Sequence, residues 1–244
     1  MKGLIPAAGK GSRLEPLTLA IPKELLIVGE KAIIEHVIDA FKIAHIADIT
    51  IVVGWKKHAI LDYLGSGDRL GIRLTYVVQD KQNGWAKAIE AGHRVIGDEP
   101  FALILGDDFF YPKSFLSDLV AFHEKKQADI SIGVCEVADP TRHGIIKPEG
   151  DDVVDIIEKP APEKAPSTLG CIGVYVFSPD IFDAIQRIQP GLNNEYQVAD
   201  AVKLMITEHR RVKYLRIQGE HIDVGTPQDL SKANRRYHEL TQKS

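Results

Sequence analysis

The residues whose types and spacing could do chemistry gather at five points of the chain. Near the start, the apolar pair Leu4-Ile5 breaks into Pro6-Ala7-Ala8-Gly9-Lys10-Gly11-Ser12-Arg13, and Lys23 follows in Ile21-Pro22-Lys23-Glu24. Glycines let backbone N–H groups approach an anion closely, and Arg13 and Lys23 supply the positive charge that a polyphosphate requires. Farther on, Gln79 precedes Gly84, an amide with both donor and acceptor beside a glycine that opens a helix. Leu105-Gly106-Asp107-Asp108 then sets two carboxylates directly behind an apolar run, at the kind of sheet edge where hard cations and phosphates meet. Adjacent residues of an extended segment point oppositely, so one of these acids is the expected ligand. The last two points are Glu158-Lys159-Pro160 and His221-Ile222-Asp223-Val224-Gly225-Thr226-Pro227.

Two familiar phosphate loops are excluded. A dinucleotide fingerprint needs a third glycine three residues after Gly11, where this chain has Leu14. An NTPase loop needs Gly-Lys-Ser/Thr opening a helix, yet Gly9-Lys10 runs into Gly11 and Pro16 interrupts any helix soon after.

The elements that must position these residues alternate in the first half. Apolar positions 33, 34, 37, 38 and 41 fall at helical spacing, and 49–53 reads as a strand ending at Gly54. Helices are expected over 57–64 and 84–95, and strands over 74–78 and 101–105. Strands alternating with helices imply right-handed crossovers and a mainly parallel sheet, with ligands beyond the carboxyl ends of the strands. The second half changes pattern after a helix over 114–126. Strands at 130–137 and 171–177, and a hairpin of 144–147 with 153–157, predict antiparallel pairs. A helix over 195–208 is expected with Asn194 as its cap, and Thr226 with Pro227 should begin the last helix.

Composition bounds the rest. A chain of 244 residues with 44% hydrophobic and 26% charged residues can bury one sizeable core, so a single α/β domain is expected. A net charge of −4, with no basic run, argues against a nucleic-acid partner. Cys135 and Cys171 have no metal-type spacing and read as small core hydrophobes of a reducing compartment. The start lacks the pattern of a leader, and no uncharged apolar run reaches membrane-spanning length, which predicts a cytoplasmic protein with no membrane contact. The polar end, residues 241–244, is expected to fray.

The long gapped string Gly9-Lys10-Gly11-Ser12-Arg13-Leu14, Pro16-Leu17-Thr18 and Pro22-Lys23-Glu24-Leu25-Leu26 resembles the signature of the sugar-phosphate nucleotidylyltransferases, the nucleotide-sugar pyrophosphorylases. The likeness runs from residue 3 to about residue 230. It implies a Rossmann-like doubly wound, mostly parallel but mixed sheet flanked by helices, in one domain over 1–244 with a nucleotide-binding half 1–110 and a sugar-phosphate half 111–244. It implies that Ala7, Ala8, Gly9, Gly11, Ser12 and Arg13 bind the nucleotide, and that Gln79 and Gly84 read the base. Asp107 and Asp223 are then the Mg²⁺ ligands, with Asp108 capping the following turn or binding through water. On the sugar side, Gly144 lets backbone touch the sugar, Glu158 binds its hydroxyls, Lys159 holds its phosphate and Glu195 stands near it. His221 occupies a position that is usually aromatic in the family and is read as a packing substitute. Many members have asparagine where this chain has Thr168, which leaves the sugar open.

The reaction so implied joins a sugar-1-phosphate, glucose-1-phosphate first, to UTP or dTTP and releases pyrophosphate, with Arg13, Lys23 and Lys159 as the catalytic cations. Guanylyl or cytidylyl transfer is an alternative. So is a silent nucleotide-sugar-binding subunit, although such proteins lose a loop cation or a metal acid and this chain keeps all of them. Some relatives continue into a left-handed β-helix; the likeness stops before it, so no acetyltransferase activity is expected. Family habit suggests a homo-oligomer, a dimer or tetramer.

Overall fold

A computed structural model describes residues 1–242. The first half contains β1 (Lys2–Ala7), α1 (Leu17–Ala20), β2 (Ile27–Val28), β3 (Lys31–Ala32), α2 (Ile33–Ile43), β4 (Asp48–Val53), α3 (Lys57–Leu64), β5 (Arg73–Val78), α4 (Trp85–Ile96), β6 (Phe101–Ile104) and β7 (Asp108–Tyr111). It is followed by α5 (Phe115–Lys126), β8 (Ile130–Glu136), β9 (Gly144–Glu149), β10 (Asp152–Glu158), β11 (Leu169–Phe177), α6 (Asp180–Arg187), α7 (Val198–Thr207), β12 (Val212–Arg216), β13 (Glu220–Asp223) and α8 (Pro227–Thr241).

Nine strands form one sheet in the order β5-β4-β1-β6-β11-β8-β12-β10-β9. From β5 to β6 every pair is parallel, as the alternating first half predicts. Beyond β6 the antiparallel pairs expected of the second half appear, and there are enough of them to make the whole sheet mixed rather than mostly parallel. There β11 runs antiparallel to β6 and β8, β10 runs antiparallel to β12 and β9, and only β8 and β12 are parallel. The cause is local: hairpin connections such as Gly150-Asp151 between β9 and β10 reverse the chain without the length a crossover needs.

The period of two along the central strands divides the core. Leu4, Val52 and Leu103 pack on one face with Phe101, Phe177 and Phe182, while Ile5, Ile51, Val53 and Ile104 pack on the other with Val37 and Phe41. Cys171 packs on the first face and the half-buried Cys135 on the second, with their thiols also within hydrogen-bond reach of Tyr175 and His221 respectively. A third, smaller cluster of Leu14, Leu26, Ile33, Phe109, Ile222 and Val224 ties a separate antiparallel ribbon, β7 with β13, to the main body. Neither this ribbon nor β12 is anticipated from the sequence.

Two helix starts contrast. α8 begins as expected, with the Thr226 hydroxyl accepting the Asp229 N–H at 3.2 Å and Pro227 in the first turn. α7 begins at Val198 rather than 195, because Asn193 and Asn194 lie in the left-handed region and form a separate turn, so Asn194 caps nothing. α8 runs through Thr241, and Lys243 and Ser244 of the expected frayed end lie outside the described residues. Among the described residues no helix is long and apolar enough to cross a membrane.

Candidate active site

β1 ends beneath a loop that opens a cavity of about 780 Å³. The loop is tied from behind. The Trp55 N–H donates to the Ala8 carbonyl at 3.2 Å, and the Thr18 hydroxyl and Leu14 N–H both donate to the Gly11 carbonyl at 2.9 Å. Gly11 has φ 64°, and a Cβ there would stand 3.0 Å from Thr18 and 3.2 Å from the Lys23 side chain, so glycine serves both the turn and the close passage of that lysine. Ala8, Gly9, Gly11 and Ser12 line the cavity, whereas Ala7 is buried in the strand below it.

Lys23 and Glu24 come from a 3₁₀ turn, Lys23–Leu25, and both line the cavity. Lys23 forms an ion pair with Asp107. Burial works against its charge, but the carboxylates of Asp107, Glu24 and Asp223 outweigh this and hold the lysine well above its ordinary pKa. Glu24 is 1% exposed and neither carboxylate oxygen has a hydrogen-bond partner. Burial pushes it up to about 7 against the pull of Lys23. The sequence motif contained this residue, but nothing in the string shows that a tight turn would aim two successive side chains inward.

At the next strand end, Gln79 is 8% exposed and donates its Nε2 to the Gly84 carbonyl at 3.2 Å. That bond fixes the amide, leaving its oxygen for a donor in the cavity. The Gly84 segment is held by the 192–197 stretch: Tyr196 N–H donates to the Asn83 carbonyl at 2.9 Å and Ala86 N–H to the Tyr196 carbonyl at 3.2 Å. This packing brings Glu195 to the cavity wall with Gln79, Gly84 and Trp85.

Asp107 lines the cavity. Asp223 does not line it but stands beside Asp107 on the end of the ribbon. Asp223 pairs with Asp108 across β7 and β13, and the Val224 N–H donates to the Asp107 carbonyl at 3.2 Å. These are two hard oxygen donors on joined backbones, both close enough to act on Lys23. They fit Mg²⁺, which commonly takes one or two protein carboxylates and leaves its other positions to water and phosphate oxygens. Arg13 reaches the same ribbon end, its guanidinium 2.7 Å from where a Cβ of Gly225 would lie. An unanticipated cation joins it: Arg142 holds Asp229 at 2.9 Å and lies 3.7 Å from the Asp223 carboxylate.

Asp108 does not cap a turn. Its Oδ1 lies 3.0 Å from His221 Nε2, and both side chains are almost wholly buried. Burial disfavours the imidazolium, yet the carboxylate beside it wins and lifts His221 to about 10. Burial in turn raises Asp108, so the proton is shared between the two, and what the geometry shows is that His221 is a hydrogen-bonding partner of Asp108 rather than an aromatic packing substitute.

The sugar-side residues form a second group beside the cavity. Gly144 faces Glu158 in the β9–β10 register, and a Cβ on it would lie 3.2 Å from the Glu158 carboxylate. Lys159 Nζ lies 3.4 Å from Glu158 Oε1, and its backbone N–H donates to the His143 carbonyl at 2.9 Å. Lys159 has φ 44°, a conformation that costs a non-glycine residue of order 1 kcal/mol and tends to persist where function requires it. Burial raises Glu158 against the pull of Lys159, and Glu195 contributes to that rise. Glu195 thus connects the two groups.

The sequence profile of the family described as nucleotidyl transferase matches residues 2–240. The chain belongs to this family. It is 34% identical over 236 residues to the low-salt glycan biosynthesis nucleotidyltransferase of Haloferax volcanii, an alignment that covers 96% of this chain and 65% of that protein. The chain therefore spans a little under two thirds of that relative's length. With a UTP–glucose-1-phosphate uridylyltransferase of the same organism it shares 35% identity over 244 residues, 99% of this chain and 98% of the relative. The crystal structure of a UDP-glucose pyrophosphorylase complexed with UDP-glucose matches with a TM-score of 0.91 and 32% identity, covering 98% of each chain. The resemblance carried by the loop string is thus family membership.

Proposed function

We propose that this nucleotidyl transferase joins glucose-1-phosphate to UTP, with dTTP as the competing nucleotide, and releases pyrophosphate. The observation that carries the reading is one cavity lined together by the glycine loop, Lys23, Asp107, Gln79, Gly84 and Glu195. Its volume of about 780 Å³ suits a nucleotide-sized ligand, and Glu195 adjoins the group of Gly144, Glu158 and Lys159 that would take the sugar phosphate. Residues 1–110 then serve the nucleotide and 111–244 mainly the sugar phosphate, with Asp223 crossing back. The sheet's parallel half, ending in the glycine loop, is the Rossmann-like part.

In this reading an oxygen of the sugar phosphate attacks the α-phosphorus in line, a new P–O bond forms, and the bond to the β-phosphate oxygen breaks with its electron pair leaving on pyrophosphate. The nucleophile is already an anion, so no strong base is required. Catalysis is positioning and charge neutralisation. Lys159 orients the sugar phosphate, Lys23 sits between the two phosphate groups, Arg13 receives the departing pyrophosphate, and Gln79 accepts from the imide N–H of the base. Asp107 and Asp223 would hold Mg²⁺, which supplies charge neutralisation at the α-phosphate when bound. We place the reaction in the cytoplasm, with a homo-oligomer as the working form and no nucleic-acid or membrane partner.

The test is pyrophosphate release with Mg²⁺, in a matrix of UTP, dTTP, CTP, GTP and ATP against glucose-, galactose-, mannose- and N-acetylglucosamine-1-phosphate. Release that needs both UTP and glucose-1-phosphate is the expected result. Silence across the matrix, with nucleotide-sugar binding intact, overturns catalysis in favour of a binding subunit. Lys159→Ala is expected to slow turnover roughly 10² to 10³-fold, as loss of one transition-state donor does.

A further inference from the structure

The ribbon of β7 and β13 is unusual in what it buries. Asp108 stands opposite Asp223, and His221 stands opposite Phe110, so His221 and Asp108 meet on the diagonal of one ribbon face. Asp108 is 2% exposed, and its Oδ1 accepts from His221 Nε2 at 3.0 Å. Its Oδ2 has no hydrogen-bond partner and faces Gly173. A Cβ on Gly173 would stand 1.8 Å from that oxygen, and Gly173 has φ 70° at an irregularity of β11 between Cys171 and Tyr175. Its carbonyl accepts the Leu105 N–H at 3.0 Å, so the same glycine that admits the carboxylate also holds the backbone two residues before Asp107.

A hydrogen-bonded pair of titratable side chains in such surroundings is costly to bury whichever one holds the proton, and apolar side chains of the same volume would stabilise the fold as well or better. What the pair does that apolar packing cannot is fix a direction: one donor, one acceptor and one register between β7 and β13. The two ends it aligns carry Asp107, covalently next to Asp108, and Asp223, two residues beyond His221. We propose that the Asp108–His221 pair, with Gly173 as the space made for it, is a positioning device that sets the separation and orientation of the Asp107 and Asp223 carboxylates. The inference rests on the reading of those two aspartates as cation ligands.

The test uses the full chain with Mn²⁺ as the probe, its free concentration followed by electron paramagnetic resonance in the presence of UTP. UTP binding without any cation and thermal stability are measured alongside. His221→Phe keeps an aromatic ring and loses the donor; His221→Gln keeps a donor and loses ring packing. The expected result is that His221→Phe weakens Mn²⁺ binding about 10-fold or more, as loss of an outer partner of a metal ligand does, while cation-free UTP binding holds within about two-fold. His221→Gln should bind Mn²⁺ better than His221→Phe even where it is the less stable protein. A purely structural role predicts the reverse order, binding following stability, and that result overturns the proposal. Asp107→Asn and Asp223→Asn are the reference: if they leave Mn²⁺ binding unchanged, the ligand reading itself fails. If they abolish it while His221→Phe binds as the wild type does, the ligand reading stands and the positioning role falls. Should His221→Phe not fold, the comparison of His221→Gln with Asp108→Asn decides the same question, since only the former leaves the carboxylate in place.

Discussion

Lys23 and Lys113 each follow a proline, and each carries its ammonium down into the protein, yet the surroundings drive them in opposite directions. At Lys23 the carboxylates of Asp107, Glu24 and Asp223 overcome burial and keep the charge firmly in place. Lys113 has no hydrogen-bond partner; its nitrogen lies 4.8 Å from the ring centres of both Phe109 and Phe110 beside a cavity of about 180 Å³. There burial wins and lowers it from the ordinary 10.5 to about 7. Burial therefore does not identify a working cation in this fold. The density of carboxylates around it does, and a site that gathers surplus negative charge around one lysine is built to receive further cations and the phosphates they neutralise.

The largest effect that this contrast predicts is on turnover. Lys23→Met should slow the reaction roughly 10² to 10³-fold, the cost of losing one donor to a charge that develops in the transition state. Lys113→Met should leave kcat and KM as they are. Equal losses at the two positions, measured on folded protein, would break the comparison outright.

The second effect is on stability and has a pH signature. A folded state that releases the Lys113 proton near pH 7, against an unfolded chain that keeps it to about 10.5, binds fewer protons over that window. Stability contributed by this group therefore rises with pH from about 7 to about 10.5, at up to roughly 1.4 kcal/mol per pH unit. Lys113→Met removes that dependence. The variant should be more stable than the parent at pH 7 by a few kcal/mol, of order 3 once the two ring faces are counted in the parent's favour. The advantage should shrink steadily as pH is raised toward 10, as read by urea unfolding of both proteins at each pH. A constant difference across pH would show that the Lys113 ammonium keeps its charge.

How much of this was legible beforehand differs between the two lysines for a physical reason. The string around Lys23 marked it, and the strand that brings Asp107 to it was readable from the apolar run at 101–105. Local periodicity likewise located α2, α3 and β4, whose buried faces are written within a few residues. The ribbon was not readable, because β7 and β13 are four residues each and 109 or more residues apart, too short for a pattern and too distant for a turn signal. Everything that depends on it was hidden with it: the Asp108–His221 pair, the Phe109 and Phe110 rings under Lys113, and the route by which Asp223 comes beside Asp107. Glu24 was hidden differently, by a tight turn that sends neighbouring side chains the same way. The left-handed Asn193 and Asn194 likewise cost the helix prediction its first three residues.

The smallest effect sharpens the contrast from the Lys113 side. Lys31 and Asp39 form an ion pair at the rim of its cavity; for Lys113, behind burial itself, Asp39 is the main influence that raises the pKa and Lys31 one that lowers it. The two act in opposite directions, Asp108 adds a weaker attraction, and burial outweighs them all, so Lys113 is governed by a low-dielectric pocket. Asp39→Asn should move the Lys113 titration down, by losing the larger attraction and leaving Lys31 opposed only by Asp108. Lys31→Met should move it up for the converse reason, and the double variant should return it close to the parent's. Each shift should be a fraction of a pH unit, since both partners are about one third exposed and water screens them. The titration can be followed by the ¹³Cε resonance of Lys113. A rise on losing Asp39 would mean that something other than the balance of these two charges sets the lysine's state, and the carboxylate-density argument for Lys23 would lose its control.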